Sequence, residues 1–386
     1  MSRANTPLRW GMIGGGQGSQ IGETHRMAAV MDRKWTPVCA APDIDPDRGR
    51  RFAVSLGLDP ERAYGSWQEL VEGERGRRDA VQLVTVATPN STHYEITRAC
   101  LEAGFNVLCE KPLTMTFREA KALANVAEKA NRKLVVNFGY TGYPMVREMR
   151  AMVQGGKLGN IHLAFAQFAH GHHSDADDAD NPRIRWRYDP SQAGVSSIVA
   201  DCGIHAQQMT GYVLGQRIES VSADYLSAIG GRELEDDAAV QSRLEGGTRA
   251  RLWTSAVATG HVHGLQLEVF GDKGGLCWRQ ERPDRLLYSP LGKPVRILER
   301  GQGGLSKDAR ESSRITIGHP EGFPAAFANI YRDIALALKG SKPALARLPS
   351  VEDGIEMVRF VEQATRSAGK GGRWMAMQDV RAGSRG

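Results

Sequence analysis

Over its first third the chain alternates compact apolar runs with stretches whose apolar residues recur at helical spacing. A short apolar strand begins at Leu8, enters a glycine-rich turn at Gly14 and leads into a helix that begins near Glu23. Residues 36–41 read as a second strand, 46–56 as a helix and 66–70 as a shorter one. Residues 80–87 are almost uninterruptedly apolar, as expected of a strand covered on both faces. A helix follows from His93, with Ile96, Ala99, Cys100 and Ala103 on one face and Gly104 as its terminator. After a strand at 105–109, Thr116 and Glu119 have capping-box spacing and start a helix that runs through Asn131. Residues 134–138 close the domain. Such alternation predicts a parallel, doubly wound α/β sheet over residues 1–139.

The pattern changes after Tyr140. Residues 143–154 read as a linking helix stopped by Gly155 and Gly156, and short strands of period two follow at 161–168, 219–227, 238–244, 248–255 and 265–270. Glu245-Gly246-Gly247 and Asp272-Lys273-Gly274-Gly275 are hairpin-type turns. Residues 140–386 are therefore expected to form an α+β domain around a large, mostly antiparallel sheet with one broad face open. No internal repeat interrupts it, and the Arg-, Gly- and Ser-rich end from Arg381 is expected to fray.

Composition bounds this picture. A length of 386 residues suits two domains, and 41% hydrophobic with 24% charged residues is ordinary for a soluble globular protein. Residues 1–10 carry no apolar signal core, and no apolar run reaches membrane-spanning length. A net charge of +6 is mild, with arginines mixed among acids along the chain, which argues against a nucleic-acid footprint. The five cysteines (Cys39, Cys100, Cys109, Cys202, Cys277) are scattered and form no C-x-x-C pair. They read as reduced thiols of a cytoplasmic protein, not as a disulfide frame or zinc site.

Chemistry enters at the first turn. Glycine lets the backbone take positive φ and approach a ligand closely. The first turn of the following helix offers N–H groups that, with the helix dipole, attract phosphate. Gly14 and Gly16, with Ser19 in the third place, meet the G-x-G-x-x-G spacing of a dinucleotide site, which would also take in Gln17, Gly18 and Ile21. The third glycine normally lets helix and strand pack closely. Either Ser19 is small enough for this, or Gly18 and Gly22 do it in a longer turn. Asp43, at the end of the second strand, is placed to bond the adenosine ribose hydroxyls, and its charge repels a 2′-phosphate. NAD is therefore expected rather than NADP. Asp45 competes for the same role, and Arg48 is the residue able to overturn the preference.

In open parallel sheets ligands bind beyond the carboxyl ends of the strands. Thr88-Pro89-Asn90 with His93, then Glu110-Lys111-Pro112, then Asn137 stand there. A lysine at a strand end beside nicotinamide is partly desolvated, and its pKa is free to fall into a useful range. Asp201-Cys202-Gly203-Ile204-His205 adds a carboxylate and an imidazole four residues apart, on one face if the segment opens a helix. Oxidising an alcohol needs a base for the hydroxyl proton as hydride leaves carbon, and histidine suits that task near neutral pH.

The turn at 14–22, Ala87-Thr88-Pro89-Asn90 with His93, and Glu110-Lys111-Pro112 together resemble the Gfo/Idh/MocA oxidoreductases, over essentially the whole chain. The resemblance implies an N-terminal Rossmann domain and an open C-terminal sheet that serves homo-oligomer contacts, as a dimer or tetramer. It implies NAD(P)-dependent dehydrogenation of sugars, cyclitols and related polyols, here a cyclitol such as scyllo-inositol or a pyranose such as L-glucose. The family carries the same D-x-x-x-H pattern. By that match His205 is the proton acceptor, Lys111 its electrostatic partner near nicotinamide and substrate, and Asp201 a substrate hydrogen-bonder. In the family the proline of the E-K-P motif often follows a cis bond. A glycoside- or aminosugar-processing enzyme that keeps and recycles its NAD is the rival within the class. A non-catalytic dinucleotide sensor with a protein partner is the rival outside it, opposed by the intact Lys111, Asp201 and His205.

Further residues bear on the sugar pocket. Trp186 and Arg187 are suited to stack on and bond a polyhydroxylated ring. His319, in Gly318-His319-Pro320-Glu321-Gly322 before a helix from Phe323, resembles a segment that approaches substrate in one branch of the family. Tyr140 and Tyr143 are expected where the two domains meet. His170-Gly171-His172-His173-Ser174-Asp175-Ala176-Asp177-Asp178 is dense in imidazoles and carboxylates but lacks metal-ligand spacing, so it reads as a polar loop at the pocket mouth. The resemblance implies that no metal is needed, because in that family lysine and histidine supply the polarisation for hydride transfer.

Overall fold

Residues 6–175 and 181–378 are described by the computed structural model, so the predicted frayed end from Arg381 and residues 176–178 of the polar loop lie outside them. The chain divides into one unit of Met1–Tyr143 with Gly322–Ile355 and another of Pro144–Glu321 with Glu356–Gly386.

The first unit holds β1 (Leu8–Gly14), β2 (Trp35–Ala41), β3 (Leu83–Ala87), β4 (Asn106–Cys109) and β5 (Leu134–Val136), all parallel in the order β2-β1-β3-β4-β5. β3 and β5 are buried at every position, which is why their sequences are unbroken apolar runs. Helices Gln20–Met31, Pro46–Ser55, Trp67–Glu74 and Phe117–Ala130 start on side-chain caps from Ser19, Asp45, Ser66 and Thr116. Each cap satisfies a first-turn N–H that would otherwise be orphaned, and the capping box of Thr116 and Glu119 is formed. From β1 the chain moves to β2 on one side and later to β3 on the other. The turns leaving β1 and β3 therefore flank the switch point where such sheets bind ligands.

Helix Phe323–Leu338 returns to this unit from far along the chain. Its Phe327, Ile330, Tyr331 and Ile334 join Trp10, Met12, Ala28, Trp35 and Leu108 in one apolar core.

The second unit is built on a sheet ordered β13-β12-β11-β10-β6-β9-β8-β7-β14. Its strands are β6 (Ile161–Ala169), β7 (Ile218–Leu226), β8 (Asp237–Leu244), β9 (Arg249–Ser255), β10 (Gln266–Gly271), β11 (Gly274–Arg279), β12 (Arg285–Pro290), β13 (Arg296–Glu299) and β14 (Met375–Ala376). Among the described residues, only the β6–β9 pair of this sheet is parallel. Helix Ile204–Leu214 packs on β6, β9 and β10. Phe270, Leu287 and Ile297 are exposed on β10, β12 and β13. All five cysteines are thiols, four of them buried, and no helix among the described residues is long and apolar enough to cross a membrane.

Candidate active site

β1 ends at Gly14, whose φ of 80° is one that only glycine adopts without strain. It is in register with Ala87 at the end of β3, and the N–H of Gly15 donates to the Ala87 carbonyl at 3.1 Å. A Cβ on Gly14 would stand 2.7 Å from both the Ala87 carbonyl carbon and Thr88 Cγ2, so the glycine turn meets the half-exposed Thr88-Pro89-Asn90 loop only without a side chain there. Ser19 Oγ accepts from the N–H of Gly22 at 3.1 Å as the helix cap. The close approach falls to Gly22, whose Cβ would lie 2.5 Å from Gly15 Cα. Gly22 thus does the work of the third fingerprint glycine and Ser19 caps. Gly18 has no atom within 4 Å of its would-be Cβ. Gln17 is exposed and Ile21 packs partly against the core. A cradle that side chains would fill, open over Gly18 and backed by a helix N-terminus, fits the phosphates of a dinucleotide.

Asp45 is committed as a cap, with Oδ1 accepting from the N–H of Arg48 at 2.9 Å. Asp43 stands beside the turn: its Oδ2 is 3.4 Å from where a Cβ of Gly16 would be. Arg48 grips it through two bonds, Nε to Oδ2 and Nη2 to Oδ1, both 2.6 Å, and these hold the Asp43 carboxyl below its usual range. The carboxylate is therefore ionised, with both oxygens held by Arg48 beside the turn. Asp43→Asn removes the repulsion of a 2′-phosphate and releases Arg48 to meet it. The ratio of kcat/KM with NADP to that with NAD is expected to rise about 10-fold or more, and a ratio unchanged within about twofold would dismiss Asp43 as the discriminator.

Glu110 and Lys111 follow β4 directly, and the Lys111–Pro112 peptide is cis. Lys111 is half-buried, whereas the Glu110 side chain turns inward. Glu110 Oε1 accepts from His25 Nε2 at 2.9 Å and from Asn137 Nδ2, while Oε2 accepts from the N–H of Lys111 at 3.3 Å. Burial alone would raise its pKa, but the hydrogen bond and charge of His25, the Asn137 amide and the Lys111 charge outweigh this and hold it at about 2. Behind His25, Nδ1 meets the Tyr331 hydroxyl at 2.8 Å, which meets Thr85 Oγ1 at 2.8 Å. His93 is wholly buried, with Nδ1 2.7 Å from the Pro112 carbonyl and Nε2 2.9 Å from that of Thr88. Tyr140 is buried against Tyr143 and Phe323, with ring centroids 6.4 and 5.5 Å away. His25 and Tyr331 were not among the candidates drawn from the sequence. The available signal was a histidine on the face of helix Gln20–Met31 that buries Gly22, Ala28 and Ala29.

In the second unit Asp201 lies in a π turn, Val199–Gly203, that runs into helix Ile204–Leu214. A buried carboxylate sets the start of that turn: Glu235 Oε1 accepts from the N–H groups of Ser197 at 2.9 Å and Val199 at 3.2 Å. Arg187 Nε donates to Asp201 Oδ2 at 3.3 Å, and its guanidinium lies 4.5 Å from the Trp186 ring centroid. The structure thus joins Trp186, Arg187 and Asp201 in one group. The half-buried His205 is 6.2 Å from Phe168 between ring centroids, and Phe168 stacks on His263 at 4.6 Å. His170 Nε2 is 3.6 Å from Cys202 Sγ, with the rings of His172 and His173 beside it. Burial, then the neighbouring imidazoles, press its pKa down to about 4, so it is neutral at pH 7. His319 sits on an exposed loop whose carbonyls at Ile315 and His319 take bonds from the buried Arg300. Among the described residues no group of His, Cys, Asp and Glu has a geometry able to hold a metal ion.

A profile described as "Oxidoreductase family, NAD-binding Rossmann fold" matches residues 8–138, and one described as "GFO/IDH/MocA C-terminal domain" matches residues 146–277. The chain is 36% identical over 379 residues to the uncharacterized oxidoreductase YfiI of Bacillus subtilis, covering 96% of both chains. It is 26% identical over 308 residues to levoglucosan dehydrogenase of Pseudarthrobacter phenanthrenivorans, covering 72% of this chain and 75% of that one. Among solved structures it is similar to an inositol dehydrogenase homologue of Azotobacter vinelandii. The TM-score is 0.92 for the complex with NAD+, at 42% identity and with 96% and 97% of the two chains covered. For the complex with NADH and myo-inositol the TM-score is 0.89, again at 42% identity, with 96% and 98% covered.

Proposed function

The chain belongs to the Gfo/Idh/MocA family of NAD-dependent oxidoreductases, and from that premise we propose that it oxidises one secondary hydroxyl of a cyclic polyol. The substrate is a cyclitol such as scyllo-inositol or a pyranose such as L-glucose, and the product a ketone or lactone. One observation carries this: Asp201, its side chain 37% exposed, is gripped by Arg187 beside the Trp186 ring and stands four residues before His205. A carboxylate and a guanidinium held together suit vicinal hydroxyls, and an aromatic face suits the C–H face of a ring. The similarity to a homologue crystallised with NADH and myo-inositol supports the same class of substrate.

The residues divide the work as follows. His205 takes the hydroxyl proton as the carbinol hydrogen leaves with its electron pair. Lys111 lowers the energy of the negative charge that builds on the oxygen. Asp201 accepts from a neighbouring hydroxyl, its oxygens fixed by Arg187. Tyr140 and His319 are assigned to the same substrate. NAD, when bound, supplies the hydride acceptor. The turn at Gly14, Gly16, Gln17, Gly18, Ser19 and Ile21, with Asp43, the Thr88-Pro89-Asn90 loop, His93, Glu110 and Lys111, is assigned to hold it. The exposed Phe270, Leu287 and Ile297 support self-association through the open sheet as a dimer or tetramer, and five thiols suit the cytoplasm.

A panel of inositols, hexoses and glycosides, each offered with NAD and with NADP, tests this. NADH is expected to accumulate in proportion to a cyclic polyol consumed. Cleavage of a glycoside with no net NADH, and no turnover of any free polyol, would overturn it.

A further inference from the structure

Lys111 sits between two residues that are each tied to a buried histidine. Before it, the Glu110 carboxylate is bound by His25 Nε2 at 2.9 Å; after it, the Pro112 carbonyl is bound by His93 Nδ1 at 2.7 Å. The two imidazoles arrive on different helices. His25 lies in the second turn of Gln20–Met31, the helix that leaves the glycine turn. His93 opens His93–Glu102, the helix that leaves Thr88-Pro89-Asn90, and its other nitrogen holds the Thr88 carbonyl at 2.9 Å. We infer that His25 and His93 are positioning residues that fix, from both sides, the backbone carrying Lys111 and tie it to the two loops assigned to the dinucleotide. The inference rests on the role proposed above for Lys111.

Three features make this more than a packing arrangement. Burying a carboxylate is costly, and an uncharged side chain would fill the same space more cheaply. Glu110 is nonetheless satisfied by His25, Asn137 and the N–H of Lys111 itself, so its position and that of the lysine backbone are one. His93 faces two carbonyls, neither of which can donate, so both of its nitrogens carry hydrogen and the ring is an imidazolium. Finally, His25 is itself locked by Tyr331, Thr85 and Trp10 in a continuous chain of bonds, leaving no slack to pass on. A displacement of about 1 Å in a catalytic group costs on the order of 100-fold in rate, which is the scale these ties control.

The clamp has a pH window. The ionisable groups around His93 are Cys109 on β4, with Cys100 behind it; those around Glu110 are His25 and Lys111, with Tyr331 behind His25. Burial lowers the His93 pKa, but Cys109 and the two carbonyls raise it further, to about 9, from 6.5. Its raised value means the tie is complete below 6.5 and is lost as pH climbs through about 9. Glu110, depressed from 4.5 to about 2, keeps its tie above 4.5 and loses it as pH falls through about 2.

The test needs no bound cofactor. Lys111 in the full chain is acetylated with acetic anhydride, and its rate is compared by peptide mass spectrometry with that of the exposed Lys307. In Glu110→Gln, His25→Ala and His93→Gln the relative rate at Lys111 is expected to change about threefold or more. With NAD and the best polyol of the panel, kcat is expected to fall about 10- to 100-fold, a larger change than any rise in KM for NAD. Wild-type kcat should decline above about pH 9, and that alkaline limb should be absent from His93→Gln. Labelling and kcat within about twofold of wild type in the folded variants would overturn the inference. If His25→Ala does not fold, Tyr331→Phe, which removes the hydroxyl between His25 Nδ1 and Thr85 Oγ1, should shift both readouts in the same direction, and wild-type values there would overturn it. Lys111→Met separates the two levels: full turnover by that protein removes the role of Lys111, whereas its loss beside wild-type behaviour of the histidine variants removes only the clamp.

Discussion

Lys111→Met is expected to lower kcat by about 1,000-fold, with KM for the polyol and the dissociation constant of NAD each rising less than about 10-fold. Methionine keeps the length and apolar stem of the lysine, so the half-buried site after β4 stays filled. Only the ammonium is lost. Its charge matters most when negative charge grows on the substrate oxygen, so the deficit belongs in kcat and not in ground-state binding. Arginine at the position is expected to restore little, because a planar fork cannot stand where a compact ammonium stood. His205→Asn should produce a comparable loss with a different signature: without the internal base the remaining rate should climb with hydroxide concentration. Steady-state kinetics across pH, with calorimetric NAD titrations of the same proteins, distinguish these outcomes. Wild-type kcat in Lys111→Met would end the mechanism.

What was legible in the chain beforehand followed how local each signal was. The capping box at Thr116 and Glu119, the unbroken apolar run into β3 and the glycine stops after residue 154 act within a few residues, and the elements they predict are present. β11, β12 and β13 escaped because their alternation is blurred. β11 opens on Gly274 and Gly275, and β12 places Leu286 and Leu287 on opposite faces, one buried and one exposed. The helix predicted from Phe323 exists, but no local pattern could show that it buries Tyr331 beside Trp10. The candidate site divides the same way. Lys111, Asp201 and His205 were nameable because motif spacing marks them. The contacts that hold them were not: Arg187 was named for the sugar ring and not as the grip on Asp201, and Glu235 on the π turn and His25 on Glu110 are set by contacts between residues far apart in sequence.

The glycine turn offers the other large effect, because two of its glycines are there for different reasons. Gly22→Ala is expected to weaken NAD binding about 100-fold or more, equivalent to about 2.7 kcal/mol. The added methyl would stand 2.5 Å from Gly15 Cα and 2.7 Å from its carbonyl carbon. Both are backbone atoms and cannot rotate aside, so helix and turn must separate, and the first-turn N–H groups move away from the phosphates. Gly18→Ala meets no atom within 4 Å but must keep a φ of 80°, which costs only about 1–2 kcal/mol of strain. Ser19→Ala removes the cap on the Gly22 N–H and costs about 1 kcal/mol of stability. Thermal unfolding of the three proteins with and without NAD reads these effects apart. In Ser19→Ala both midpoints should fall together, keeping the gain from NAD. In Gly22→Ala that gain should vanish, since a ligand stabilises only in proportion to its concentration over its dissociation constant. A full NAD-dependent rise in Gly22→Ala would show that the helix can retreat without disturbing the phosphate site, and the close approach at Gly22 would then be packing alone.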